Sequence, residues 1–309
     1  MKLYLIKYFC QYQIHKLSQG NRTINDIILI VNKKDFFNNN KYLIALDLDG
    51  TLLNSDSEIS SNSIKFLKEL ISYGNKVVIA SGRSDTNLEK FYNKLNLNTP
   101  LISYNGSKIT FPNTKKKDIS SKLDKEVVFK FINHFGQDSF VNILAEDDTN
   151  AYFKKKYELF ESFFSAEKKE ILIGDVLKNI KRDLFSIIFQ SSDTSNNDNM
   201  FSYLKSINPE YGIRFWHDAK VYGEFYKEGI NKGSALKKVA KILKIKDENV
   251  IAFGDGTNDL EMLCAANHSF AMKNGSDILK KYAKYVTNHT NSEEGVIKSL
   301  DSLFNMLDK

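Results

Sequence analysis

The sequence predicts an α/β fold, a parallel sheet with helices on both faces, interrupted by an α+β insertion. Three observations predict it. Short apolar runs of strand length alternate with amphipathic helical segments from residue 41 to about 117. The alternation lapses between about 118 and 220, then resumes from 221 to 309. A chain of 309 residues suits one large domain or two linked ones.

In order, residues 1–40 read as an N-terminal extension with one strand-like run, Ile27 to Val31, ending in the polar cluster Asn38 to Asn40. Tyr42 to Leu48 is apolar except for Asp47, the continuous pattern of a strand buried on both faces. Ile64, Leu67, Leu70 and Ile71 recur at helical spacing, with serines in front to cap and Gly74 behind to stop. Lys76 to Ala80 is again a strand, and Leu88, Phe91, Tyr92 and Leu95 mark a second helix. Strand, helix, strand, helix is the signature of parallel βαβ units. Leu101 to Phe111 reads as a hairpin around Asn105-Gly106, a strong turn dipeptide.

In the insertion, Val127, Val128, Phe131 and Ile132 suggest a helix, as do Met200 to Leu204. Phe140 to Leu144, Leu184 to Phe189 and Tyr211 to Trp216 suggest strands. Beyond it come a helix with Leu236, Val239, Ala240 and Leu243, a strand Asn249 to Phe253 and a helix holding Leu260 and Leu263. A strand Ser269 to Met272 and a terminal helix with Val296, Leu300, Leu303 and Phe304 complete the pattern.

Composition excludes several function classes. The net charge of +6 comes almost wholly from lysine, and the densest runs, Lys115 to Lys117 and Lys154 to Lys156, are short. They read as solvated surface that steers anions, not as a nucleic-acid face with interleaved aromatics. No stretch approaches the roughly 20 apolar residues of a membrane span. The apolar start is interrupted by Lys7 and lacks a cleavage site, and Cys10 and Cys264 form no disulfide framework, so a cytoplasmic setting is expected. The sequence assigns no oligomeric state.

Four constellations carry chemistry. Asp47-Leu48-Asp49-Gly50-Thr51 stands at the end of the first buried strand, where ligands of open α/β sheets bind. A calcium loop starting at Asp47 is excluded, because its sixth position is Leu52 where glycine is required. Gly254-Asp255-Gly256-Thr257-Asn258-Asp259 follows another strand; alone it could be a solvated turn with N-capping acids. Together the two clusters offer four carboxylates that repel one another unless a cation sits among them, and hard oxygen donors favour magnesium. Ser81-Gly82-Arg83 places a hydroxyl and backbone N–H groups before a helix, a phosphate seat or a plain N-cap. Lys232 opens a helix, where the dipole disfavours a cation; it is either functional or one more solvated lysine.

In their order and spacing these motifs resemble the haloacid dehalogenase (HAD) superfamily, specifically its Cof-type capped phosphatases. DLDGTLL matches the first motif, Ser81-Gly82-Arg83 the second, Lys232 the third and GDGTNDLEML the fourth, from about Lys41 to the C-terminus. The 150-residue gap between Ser81 and Lys232 is where this branch inserts its cap. The resemblance implies a Rossmann-like core in two parts, 41–117 and 221–309, and an inserted α+β cap domain at 118–220. It implies Asp47 as nucleophile, Asp49 as general acid and base, and Lys232 and Ser81 on the transferring phosphoryl group. Gly82, Arg83, Asn105 and Asn258 would contact substrate. Mg2+ would be held by Asp47, the Asp49 carbonyl and Asp255, with Asp259 supporting the metal or orienting its neighbours. The implied partner is a small phosphorylated metabolite, a sugar phosphate first among them. Cap residues Arg214, Trp216, His217 and Lys220, or the acids Glu146, Asp147 and Asp148, could select the leaving group. A phosphomutase of the same superfamily and a catalytically silent phosphometabolite-binding module remain the alternatives.

Overall fold

The computed structural model describes residues 41–156, 168–216 and 221–304. The expected extension 1–40, with its run Ile27 to Val31, and the cap candidates His217 and Lys220 lie outside the described residues. The chain divides into two compact units. One takes the first described residues up to Ala80, Phe91–Thr99 and the chain from Lys232 on; the other takes Ser81–Lys90 and Pro100–Asn231.

The first unit is built on a five-stranded parallel sheet. In chain order its strands are β1 (Leu43–Leu46), β2 (Lys76–Ile79), β12 (Val250–Gly254), β13 (His268–Ala271) and β14 (Tyr285–Val286), arranged β14-β13-β12-β1-β2. Every residue of β1 is buried, whichever face it points to, which is why the run is apolar throughout instead of alternating. Burying a Leu or Ile fully is worth roughly 1.5–3 kcal/mol, so Leu43, Ile44 and Leu46 anchor the strand strongly.

The helix Ser61–Ser72 starts where the Ser60 side chain accepts the Ser63 N–H, and buries Phe66, Leu67 and Leu70. It ends before Gly74, whose φ of +89° suits a residue without Cβ. The helices Lys232–Ile242, Leu260–Ala265 and Gly295–Phe304 follow the expected periodicity. Strand β14, two residues long, and the short helix Asp277–Tyr282 were too brief to leave a periodic signal.

The second unit holds two sheets. A small antiparallel one contains β3 (Leu101–Ser103), β4 (Lys108–Thr110) and β5 (Ile119–Ser120), the first two joined through the turn Tyr104–Gly106. The larger, in the order β10-β11-β9-β6-β7-β8, comprises β6 (Phe140–Glu146), β7 (Asn150–Phe153), β8 (Glu170–Ile173), β9 (Ser186–Ser191), β10 (Tyr211–Trp216) and β11 (Tyr222–Lys227). The helices Lys125–Phe135 and Asn197–Ile207 bury Val128, Phe131, Met200 and Leu204 in a core shared with Ile143, Ile187, Phe189 and Phe225. Phe131 meets Phe225 edge to face, with centroids 4.8 Å apart.

Two features of this unit depart from the sequence reading. Strand β11 lies beyond residue 220 yet pairs with β10 and β9 of the larger sheet. Strands β7 and β8 were not foreseen; β8 is an edge strand whose residues are mostly exposed, so it carries no buried alternation to read. Among the described residues no helix is long and apolar enough to cross a membrane.

Candidate active site

The carboxyl ends of β1 and β12 gather three acidic residues of the first unit, Asp47, Asp255 and Asp259. The two strands pair in parallel with Leu46 opposite Phe253, and the Asp47 N–H donates to the Phe253 carbonyl at 3.2 Å. Asp47 and Asp255, each just past its strand, therefore emerge at one edge. Oxygen atoms of Asp47, Asp255 and Asp259 lie within 4.8 Å of one another. Lys232, fully buried at the first position of its helix, donates from Nζ to Asp47 Oδ1 and Asp259 Oδ1, both at 2.6 Å. This resolves the two readings of Lys232 left open by the sequence: it is not solvated. Gly233 makes the approach possible, since a Cβ there would overlap the Glu261 carbonyl.

Three carboxylates face one ammonium, which leaves two negative charges. The electrostatics follow from that imbalance. Burial alone would lower the Lys232 pKa, but the carboxylates of Asp259 and Asp47 outweigh it and hold the lysine charged above its ordinary value. Burial, then the charge of Asp259, raises Asp47 well above the usual carboxylate range and pushes Asp255 up to about 7. A divalent cation would relieve this, and an all-oxygen donor set without sulfur or imidazole fits magnesium.

The three acids are held differently. Asp259 is spent on the protein: Oδ1 takes Lys232, and Oδ2 accepts the N–H groups of Asp255 and Gly256 at 3.0 Å each. It braces the turn that presents Asp255. Among the described residues, Asp255 Oδ1 accepts only the weak Thr51 hydroxyl contact at 3.4 Å. Gly50, at φ +70°, lies against the Asp255 carboxylate so closely that a Cβ would overlap it. Asp49 is exposed, in the same tight turn. Asn258 lies in the 3-10 turn Thr257–Asp259, over Gly256.

Ser81, Gly82, Arg83 and Asn105 come together within the second unit. The Ser81 N–H bonds the Ile102 carbonyl and the Asn105 N–H the Ser81 carbonyl, both at 3.0 Å. A Cβ on Gly82 would stand 3.2 Å from the Asn105 side-chain amide. The Ser81 hydroxyl accepts the Arg83 N–H at 3.2 Å, and Arg83 Nη1 bonds Asn87 Oδ1 at 3.0 Å. The helix begins only at Asp85, and Ser84 Oγ takes the Asn87 N–H, so Ser81 is not the N-cap that the plainer reading made it.

Of the proposed leaving-group selectors, Trp216 stacks on Tyr222 and Arg214 sits over Tyr226. The acids at 146–148 do not form a solvent-facing reader. Glu146 and Asp147 are buried, Asp147 accepting the N–H groups of Thr149 and Asn150 and the Tyr152 hydroxyl, and Asp148 pairs with Lys122.

Sequence reasoning missed Asn274, whose Nδ2 donates to the Gly50 carbonyl at 2.8 Å and supports the turn that follows Asp47. Its Asn-Gly dipeptide just after β13 was the available signal. It also missed Glu224, which accepts the Asn105 amide at 2.8 Å; nothing local marks a carboxylate on a strand.

A model of the haloacid dehalogenase-like hydrolase family matches residues 44–300. The 5-amino-6-(5-phospho-D-ribitylamino)uracil phosphatase YitU of Bacillus subtilis is 32% identical over 267 residues, covering 86% of this chain and 98% of that protein. The phosphatase YbjI of Escherichia coli, named for the same substrate, is 27% identical over 84% of this chain and 95% of its own length. A haloacid dehalogenase-like hydrolase from Bacteroides thetaiotaomicron superposes with a TM-score of 0.71 at 27% identity, covering 85% of this chain and 99% of that one. The chain belongs to the haloacid dehalogenase-like hydrolases, in their Cof-type phosphatase branch.

Proposed function

We propose that this protein is a magnesium-dependent phosphatase that hydrolyses phosphomonoesters of small hydroxylated metabolites through an aspartyl-phosphate on Asp47. The observation that carries the reading is the Lys232 ammonium shared between Asp47 and Asp259 at 2.6 Å, with Asp255 beside them. Asp47 and Asp255, with the Asp49 carbonyl, would hold Mg2+. When bound, the ion supplies positive charge that lets an anionic nucleophile approach an anionic ester.

The chain's own residues account for the remaining steps. An Asp47 carboxylate oxygen attacks phosphorus as the ester P–O bond breaks. Asp49, exposed beside it, gives its proton to the departing alkoxide oxygen, then takes a proton from the water that cleaves the acyl-phosphate. Free Asp47 and inorganic phosphate result. Lys232, fixed and charged, orients Asp47 and offsets charge on the phosphoryl oxygens. Ser81, Gly82, Arg83, Asn105 and Asn258 bind substrate in this reading.

The substrate class rests on the relatives: two phosphatases similar to this chain are named for a ribitylamino-uracil phosphate. We extend to this chain only the shared chemistry, a phosphate on a hydroxylated carbon chain, sugar phosphates included. The test is phosphate release from a panel of sugar, polyol and nucleotide monophosphates. Magnesium-dependent turnover that Asp47→Asn abolishes is expected. Equal turnover by wild type and variant would defeat the mechanism, and a requirement for a bisphosphate activator would favour a mutase.

A further inference from the structure

Tyr104, Asn105 and Gly106 form an unusual run of backbone in the second unit. Their φ angles are +50°, +51° and +95°, three consecutive residues in the left-handed region, two of them bearing side chains. A bulky residue adopts this conformation only when its surroundings enforce it. The surroundings are visible. The Tyr104 ring, buried, stacks on Phe185 with centroids 5.2 Å apart. The Tyr104 hydroxyl accepts a hydrogen bond from Lys169 Nζ at 2.6 Å. That ammonium, itself buried, also donates to the Asp147 carbonyl at 2.7 Å and pairs with Glu146 Oε1 at 3.3 Å.

A buried lysine with one carboxylate partner among the described residues is a costly arrangement in a cap that could have used apolar residues. Here its geometry has a target. Lys169 ties the Tyr104 ring to the end of β6, and the next residue, Asn105, places its amide against Gly82 and donates to Glu224 at 2.8 Å. Asn105 follows Tyr104 directly in the same left-handed turn, so holding Tyr104 constrains the backbone from which the Asn105 amide projects.

We propose that Lys169 and Glu146 are positioning residues: through the Tyr104 hydroxyl they lock the left-handed turn that sets the Asn105 amide between Gly82 and Glu224. This rests on the phosphatase reading, in which Asn105 contacts substrate. Neither residue touches substrate itself.

The test is a double-mutant cycle read as kcat/KM on p-nitrophenyl phosphate with magnesium. Tyr104→Phe keeps the stacked ring and removes only the hydroxyl. It should lower kcat/KM about tenfold, mainly through KM, while the melting temperature stays close to wild type. Asn105→Ala should cost at least as much. Combining the two should cost no more than Asn105→Ala alone, because the clamp has nothing left to position. Lys169→Met should behave like Tyr104→Phe; if it fails to fold, the Tyr104 cycle decides alone. Losses that multiply, or a Tyr104→Phe variant indistinguishable from wild type, overturn the inference. A wild type that releases no phosphate removes the phosphatase reading and this inference with it. An active wild type with multiplicative losses removes the inference alone.

Discussion

Lys232 illustrates how much one side chain can settle. Its ammonium is fully buried between Asp47 and Asp259, so Lys232→Met would leave two buried carboxylates without their cation. Removing one partner of a buried pair costs about 3–5 kcal/mol, and in the proposed mechanism losing the charge that offsets the phosphoryl oxygens costs about 100-fold or more in kcat. We expect both, read by chemical denaturation and by phosphate release. Asp259→Asn should also weaken magnesium binding, although Asp259 is already spent on the protein. Its Oδ2 braces the Asp255 and Gly256 amides, so a titration of activity against magnesium should shift to higher concentration by about 10–100-fold. At this scale the sequence was informative about identity and silent about partnership. Asp47, Asp255 and Lys232 could be named because each sits just past a strand or at a helix start. That Asp259 would bond Lys232 27 residues away, or that Glu224 would meet Asn105 119 residues away, is a product of packing.

The elements matter through their ends. Parallel strands β1 and β12 deliver Asp47 and Asp255 to one edge, and glycines let the connecting turns close. Gly50→Ala would force a Cβ into the Asp255 carboxylate and strain a φ of +70°, at about 1–2 kcal/mol for the backbone alone. Its expected signature is a stable fold whose magnesium-dependent melting shift shrinks, measured by calorimetry with and without the ion. The parallel sheet was readable because buried strands of four or five residues are continuous apolar runs. The larger antiparallel sheet was read only in part. Phe140–Glu146 and Tyr211–Trp216 run seven and six residues, whereas β7 and β8 have only four each. The insertion's end was set at residue 220, where the alternating pattern was read as resuming, yet β11 continues the same sheet after it.

For the whole molecule, the buried Glu146 of the second unit makes stability depend on pH. Burial, opposed by Lys169, raises Glu146 to about 7 from an ordinary value of 4.5. Between those two values the folded state holds more protons at this site than the unfolded chain, so unfolding free energy falls as pH rises through that window and levels off above it. The slope reaches at most about 1.4 kcal/mol per pH unit for one group. Glu146→Gln should flatten the wild-type curve between pH 4.5 and 7, and the difference between the two proteins isolates this site from the acids near Lys232. An unchanged slope would mean that Glu146 titrates normally. The position of β1, flanked by β2 on one side and β12 on the other, has a further consequence for biosynthesis. A nascent chain that has left the ribosome only as far as residue 231 holds Asp47 but none of Lys232, Asp255 or Asp259. In the proposed mechanism catalytic competence must then wait until translation has passed Asp259, and two separately expressed fragments divided in the inserted unit should regain activity only on reassembly.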